Sequence, residues 1–418
     1  MKTSKQLGEF KEFNYCRFCK SKKVSKFLDL GIQPLAGGFI KEKDFGKEKF
    51  YPLALNFCRD CYLVQTTAVV NKDKLFKNYF YHSSAINTLS KHFAKNSIIL
   101  SRFFKYPKKN FVVEIGCNDS NFLKEMSKKK FNVLGIDPAQ NIIKPLLRGR
   151  LPIINDYFSK KSAKKILKDY GKANLIVSTN TLAHIENMHD VFDGISLLLD
   201  DNGFLYFENH YLGNLMEDTQ YDMIYHEHLY YYSLLSLSSF LKTHNMIIFD
   251  IRKIPIHGGS MGFFVQKDNG PFKVTNKVKN AISWEKRSKL NDEKTFKNFS
   301  FHVKKREENL LKLLSTLKNR NKKIVGYGAS GRATVICNSI GINENILDYI
   351  IDDSKAKQGF FTPGVHLKII PSNLNNKYHP DYTVLFAWAF LNEIKKRNKK
   401  YSRMGGKFIT PLPKVKII

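Results

Sequence analysis

The sequence predicts an α/β protein: an N-terminal zinc-binding module followed by two Rossmann-like, doubly wound αβα domains. Three observations predict it. Four of the six cysteines fall in two C-x2-C pairs near the start. From about residue 86, short apolar runs alternate with Lys- and Leu-bearing helical stretches. The order strand, glycine turn, helix then recurs in "KKIVGYGASGRATVICNSIG". The boundaries read from these signals are 1–85 for the module and 86–267 for the first αβα domain. A helical connection takes 268–322, and the second αβα domain takes 323–418.

The module rests on Cys16-x2-Cys19 and Cys58-x2-Cys61. Two such knuckles offer four thiolates in tight turns, the tetrahedral soft-ligand set that structural zinc prefers. The intervening 38 residues exceed ordinary ribbon spacing, so they must form hairpins or loops of their own. A closed four-thiolate site keeps no position for substrate, so this metal is expected to stabilise rather than to catalyse. Cys117 and Cys337 stand apart from the pairs.

In the first αβα domain, "NFVVEIG" (110–116), "FNVLGID" (131–137), "ANLIVST" (173–179) and "GFLYFEN" (203–209) suit buried parallel strands. "MIIFDIRKI" and "SMGFFVQK" read as later strands at an antiparallel end of the sheet. Apolar residues at helical spacing in "FHVKKREENLLKLLSTL" predict a long helix in the connection. In the second domain, "ILDYIIDDSKAKQG", "TVLFAWAF" and "GKFIT" carry the remaining strands.

A chain of 418 residues exceeds one ordinary core, and its 43% hydrophobic content with 33 Phe can fill several. No apolar run of 18 residues appears, and "MKTSKQLGEF" lacks a signal-peptide core, so a cytoplasmic protein without a membrane span is expected. The formal charge of +32 is nearly all Lys, since only 12 of 69 basic residues are Arg, and it is spread along the chain. A nucleic-acid binder gathers Arg and aromatics on one patch. The dispersion argues against nucleic acid and leaves an anionic small molecule as an acceptable partner.

Two glycine turns are candidate cofactor sites. The first, Glu114-Ile115-Gly116-Cys117-Asn118-Asp119, joins a strand to a helix starting near Asn121. Asp137 closes the next strand, 21 residues after Gly116, where an acid accepts from ribose hydroxyls. That acid serves NAD as well as S-adenosylmethionine. The turn lacks G-x-G-x-x-G, however, and S-adenosylmethionine has no pyrophosphate to cradle. The second turn, Gly326-Tyr327-Gly328-Ala329-Ser330-Gly331, does match that fingerprint, with Asp352 and Asp353 further on. It reads either as a plain strand-to-helix turn, as a dock for a substrate phosphate, or as the nicotinamide site of a reductase.

Tyr225-His226-Glu227-His228 is the densest cluster of proton-handling groups in the chain. On a strand the two histidines share one face and Glu227 the other, unless the backbone turns. The i, i+2 spacing excludes the metalloprotease helix, which needs i, i+4. Among the other imidazoles, His184 follows the third strand and His257 precedes two glycines, both candidate site positions. His82 and His92 read as surface residues, and Tyr230-Tyr231-Tyr232 as packing.

In the order they occur, "CRFC…CRDCYLVQ", "NYFYHSS", "EIGCNDS", "NTLAHIENMHD", "YDMIYHEHLYYYSL", "HGGS", "GYGASGRAT" and "DDSKAKQGFFTPG" resemble the sugar C-methyltransferases acting on nucleotide-linked keto-deoxysugars, over essentially the whole chain. The resemblance implies an S-adenosylmethionine enzyme with structural zinc and a nucleotide-diphosphate sugar substrate. It implies His228 as base beside Glu227, with Tyr225, His184 and Tyr79 or Tyr81 contacting the sugar or the enolate oxygen. Glu114, Gly116, Asn118, Asp119, Asp137 and Asn180 would hold the cofactor; His257, Gly328 and Arg332 would contact the substrate. Ser120 departs from the pattern, standing where relatives carry glycine. A monomer or weak homo-oligomer is expected. The alternatives are N- or O-methylation of a sugar or related small molecule and, further off, a zinc-ribbon nucleic-acid binder.

Overall fold

The computed structural model describes residues 9–418 except 78, 80–82, 86, 148, 150, 257 and 373–378. Three sheets carry the architecture, and a fourth pairing of Phe10–Glu12 with Ala68–Val70 closes the N-terminal region.

The residues between the cysteine pairs do form their own hairpin. Strand Val24–Pro34 runs antiparallel to Phe50–Cys58, which pairs in turn with Val64–Thr66. The fourth strand of this sheet, Tyr230–Tyr231, comes from far along the chain. The two knuckles are built alike. The Lys20 amide donates to the Cys16 carbonyl at 2.8 Å and the Tyr62 amide to the Cys58 carbonyl at 3.0 Å. Lys20 and Tyr62 both take positive φ, which turns each knuckle back on itself. All four sulfur atoms lie within 4.8 Å of one another.

The central sheet has seven strands. From one edge they are Met246–Ile254, Ser260–Lys267, Leu199–His210, Ala173–Thr179, Phe111–Ile115, Asn132–Ile136 and Ile153–Ile154. The last five are parallel, and four of them are the apolar runs read as parallel strands; Ile153–Ile154 is not among those runs. The two later strands pair antiparallel at the sheet end, as expected. Chain order reverses between Phe111–Ile115 and Ala173–Thr179. At that point the carboxyl ends of the strands open a crevice, the usual ligand position of such a sheet. Every side chain of Phe111–Ile115 is buried, which explains why this strand reads as continuous rather than alternating.

The C-terminal sheet repeats this plan with six strands, ordered Ile369–Pro371, Ile350–Asp352, Ile324–Tyr327, Tyr382–Leu385, Lys407–Thr410 and Lys416–Ile417, only the last antiparallel. Helices Asn276–Arg287 and Glu293–Asn319 join the two αβα units. The long helix buries Phe296, Phe299, Val303, Leu310, Leu314 and Leu317, one apolar stripe at helical spacing. Phe296 stacks on Phe57 at 4.5 Å, so the connection also grips the cysteine module. No helix among the described residues is long and apolar enough to cross a membrane.

Candidate active site

A cavity of about 890 Å³ opens at the switch point of the central sheet, within the range of small-molecule sites. Residues from the cysteine module and from both αβα units line it.

One wall is the first glycine turn. Gly116 has φ +75°, and a Cβ there would fall 2.1 Å from Thr181 Oγ1, so only glycine fits. Asp137 accepts from the amides of Asn118 and Ala139, each at 2.9 Å, and burial raises its carboxyl. Glu114 is 2% exposed and its Oε2 has no hydrogen-bond partner. Burial, then the nearby Asp137 and Asp119, push its carboxyl well up. Glu114, Gly116, Asn118, Asp137 and Asn180 all face the cavity. Asp119 does not. Its carboxylate accepts from the Ser83 hydroxyl and, at 2.9 Å, from the Ser84 amide, so it ties residues 83–84 to the turn. An orphaned carboxylate oxygen beside a glycine-walled floor fits a ligand with an ammonium end, as S-adenosylmethionine has.

Ser120 resolves the departure noted in the sequence. The chain keeps the glycine-like geometry, with Ser120 at φ 61°, ψ 26°, and its side chain makes no helix-capping bond. A non-glycine residue in this region is strained. Ser120→Gly should therefore raise stability by about 0.5–1 kcal/mol, read as a higher denaturation midpoint with cofactor affinity retained.

The second wall holds the proton-handling groups. Residues 225–229 do turn: the His228 amide donates to the Tyr225 carbonyl at 2.9 Å, so the tetrad is not a strand. The turn splits the tetrad. Tyr225, Glu227 and His228 line the cavity, whereas His226 is 2% exposed and bonds through Nε2 to the Tyr51 carbonyl at 3.3 Å. Burial lowers His226 to about 4, and it serves as packing against the cysteine module. His228 Nδ1 lies 2.8 Å from the Met223 carbonyl, an acceptor only. That bond fixes the proton on Nδ1 and leaves the Nε2 lone pair available. Burial lowers His228 to about 4, so it is neutral at neutral pH. Its ring lies 4.0 Å from Tyr225 and 5.1 Å from His184. Burial, then His228, hold His184 well below its ordinary value. Glu227 accepts from the Tyr79 hydroxyl at 3.0 Å, and burial raises it to about 7 against that bond. Tyr79 is anchored by two bonds to Asn141. Tyr81, like His82 and His257, lies outside the described residues.

The third wall comes from the second glycine turn. Ser330, Gly331, Arg332 and Lys357 face the cavity, while Gly328 sits behind them with φ +95°. A Cβ on Gly331 would lie 3.6 Å from the Tyr225 ring, so the two αβα units meet at the acid–base group. Arg332 stands 3.6 Å from Asp222 and 5.2 Å over the Trp388 ring; Trp388 donates to Asp222 at 2.8 Å.

The chain matches three family models in succession. Residues 16–76 match a zinc binding domain, 89–247 a methyltransferase domain and 255–413 the C-methyltransferase C-terminal domain. By these matches the chain is an S-adenosylmethionine-dependent methyltransferase. This methyltransferase is 28% identical to C-methyltransferase NovU of Streptomyces niveus, over 96% of each chain. Among solved structures it is similar to an S-adenosylmethionine-dependent methyltransferase from Clostridium acetobutylicum, at 14% identity and a TM-score of 0.33, covering 43% of this chain and 92% of that one. It is also similar to the magnesium protoporphyrin IX methyltransferase of Synechocystis with bound SAH, at 14% identity and a TM-score of 0.32, over 43% and 82%. At these scores the two structures add nothing to the family matches.

Several site residues of the methyltransferase escaped sequence reading. Asp222 lies in the stretch "YDMIYHEHLYYYSL" with no role assigned from sequence, yet it is fully buried with Oδ1 unpartnered. His92, read as a surface residue, is in fact held 2.7 Å from Glu208, its side chain only 10% exposed. Glu208 also receives Asn96, Tyr206 and Arg252, and its carbonyl accepts from the Asn180 amide at 2.8 Å. The network thereby pins helix Asn87–Ser101, whose Thr88, Leu89 and Phe93 roof the wall built from the first glycine turn. A His–Glu pair 116 residues apart leaves no local pattern to read. Residues Leu35–Phe39 complete the cavity with no chemical signature at all.

Proposed function

We propose that this enzyme methylates a ring carbon of a nucleotide-linked keto-deoxysugar, with His228 removing the proton α to the ketone. The observation that carries the reading is the Nδ1–H bond to Met223, which presents a neutral imidazole with its Nε2 lone pair between the cofactor wall and the C-terminal wall. Bound S-adenosylmethionine supplies a sulfonium methyl as electrophile. Glu114 would take its ammonium group and Asp137 its ribose hydroxyls. Opposite, the N-terminus of helix Gly331–Ile340, with Arg332 and Lys357, suits a diphosphate. A sugar bridging the two would lie against Tyr225, His184 and His228. Tyr225 and His184 would donate to the enolate oxygen as charge develops, and the enolate carbon would be held for in-line attack. The N- and O-methylation readings need no such C–H base.

The test is turnover of methyl-labelled S-adenosylmethionine with a panel of nucleotide 4-keto sugars. In deuterium oxide without cofactor, label should wash into the sugar at the target carbon. Cofactor binding with neither exchange nor carbon methylation would sink the proposal.

Glu227 supplies a separate pH prediction. Ionised, it stabilises the imidazolium forming on its neighbour; protonated, it does not. Since its carboxyl titrates at about 7, kcat/KM should rise with pH through about 7 and level off above. Glu227→Gln should leave a flat, lower profile. An unchanged limb in that variant would assign the pH dependence to another group.

A further inference from the structure

The residue following the first metal-binding cysteine reaches into the catalytic turn. Arg17 is 4% exposed and lies in the Cys16–Cys19 knuckle. Its Nη2 donates to the Leu229 carbonyl at 2.8 Å and to Thr66 Oγ1 at 3.3 Å, and its Nη1 donates to the Thr66 carbonyl at 3.0 Å. The rings of Tyr230 and Phe13 flank it at 4.7 and 5.1 Å. Among the described residues no carboxylate pairs with it. A guanidinium buried on neutral acceptors and rings alone is a costly way to fill a core, where an apolar side chain of similar volume packs at least as well.

Its position shows what the charge accomplishes. Leu229 directly follows His228, and its carbonyl also accepts from the Thr66 amide at 3.1 Å. The Leu229 amide donates to the Ala183 carbonyl at 2.8 Å, one residue before His184. Leu229 is thus gripped on its carbonyl side by the cysteine module and on its amide side by the loop that carries His184. The next two residues extend that grip as a strand paired with Gln65 and Val64. Arg17 is itself held at both ends, because the knuckle sets its backbone and its amide donates to Gln65 Oε1 at 3.0 Å.

We infer that Arg17 is a positioning residue that transmits the geometry of the metal knuckle to Leu229, and so sets where His228 stands relative to His184. The four-cysteine site then serves the reaction without an open coordination position. The catalytic half of this inference rests on the role proposed for His228; the positional half does not.

The experiment uses full-length, zinc-loaded Arg17→Met with S-adenosylhomocysteine bound, compared with the parent. Zinc content and cofactor affinity should match the parent. Amide hydrogen exchange in 222–233 should quicken about tenfold or more while 111–115 and 173–179 stay as they were. With substrate, kcat should fall about 10–100-fold with KM little changed, the size of effect expected when a group behind the reacting one is lost. Unchanged exchange in 222–233 overturns the inference, as does exchange that quickens equally everywhere. Should Arg17→Met not fold, Arg17→Lys keeps the charge but not the fork that spans Thr66 and Leu229, and the same comparison applies. Faster exchange at 222–233 alongside a fully active His228→Ala would keep the positional role and reject His228 as base.

Discussion

His228→Ala should lower kcat by about 10²–10⁴-fold, the usual contribution of a positioned general base, while S-adenosylhomocysteine binds as in the parent. The separation follows from the layout. His228 stands with Tyr225 and His184, and the wall of Glu114, Gly116 and Asp137, proposed for the cofactor, is built from a different strand and turn. Removing the imidazole leaves that wall intact. His228→Asn and His226→Ala sharpen the comparison. Asparagine retains a polar group near Met223 but no base, so it should be about as impaired as alanine. His226 points to Tyr51 instead of the cavity, so its loss should cost stability rather than kcat. Calorimetric affinity and single-turnover rates measure the two halves separately. A His228→Ala enzyme within a few-fold of parental kcat would remove His228 as the base.

What could be read in the chain, and what could not, divides along a physical line. Groups whose chemistry demands a fixed local spacing were legible: the cysteine knuckles, the turn at Gly116 with Asp137 one strand later, and the apolar strands of both sheets. The second glycine turn was visible, but whether it faced a ligand was open until the fold brought Gly331 against Tyr225. Side chains that act through distant partners left no trace. Arg17 and Leu229 are 212 residues apart, and Trp388 and Asp222 are 166 apart. The tetrad itself shows the limit of periodicity. Its residue types announced a site, yet only the turn at 225–228 decides that His226 faces the cysteine module and the other three face the cavity. Ser120 shows the converse, since backbone conformation can survive loss of the residue that favours it.

The second large effect is expected at the seam between the two αβα units. Arg332 is the cation nearest to Asp222, whose carboxylate is fully buried and carries one unpartnered oxygen. Burial raises the Asp222 carboxyl, with Arg332 and then Trp388 pulling it back down. Arg332→Ala removes the larger of those opposing effects. Breaking a buried pair in this way typically costs about 3–5 kcal/mol, unless the stranded acid takes up a proton. The loss should therefore depend on pH, and the sign is definite. A group with a raised folded-state pKa is not penalised below its unfolded pKa and loses stability as pH rises through the folded value. The variant should be close to parental near pH 4 and fall progressively behind toward pH 8. Asp222→Asn in the same background should restore much of the difference at high pH, because an amide keeps an acceptor for Trp388 without a charge to bury. Arg332 also faces the cavity, so KM for a nucleotide sugar should rise in Arg332→Ala and stay high in the double variant. Recovery of stability without recovery of KM separates the two jobs of this side chain. Equal loss of stability at pH 4 and pH 8 would show that Asp222 is neutral in the parent and that Arg332 contributes through packing on Trp388 instead.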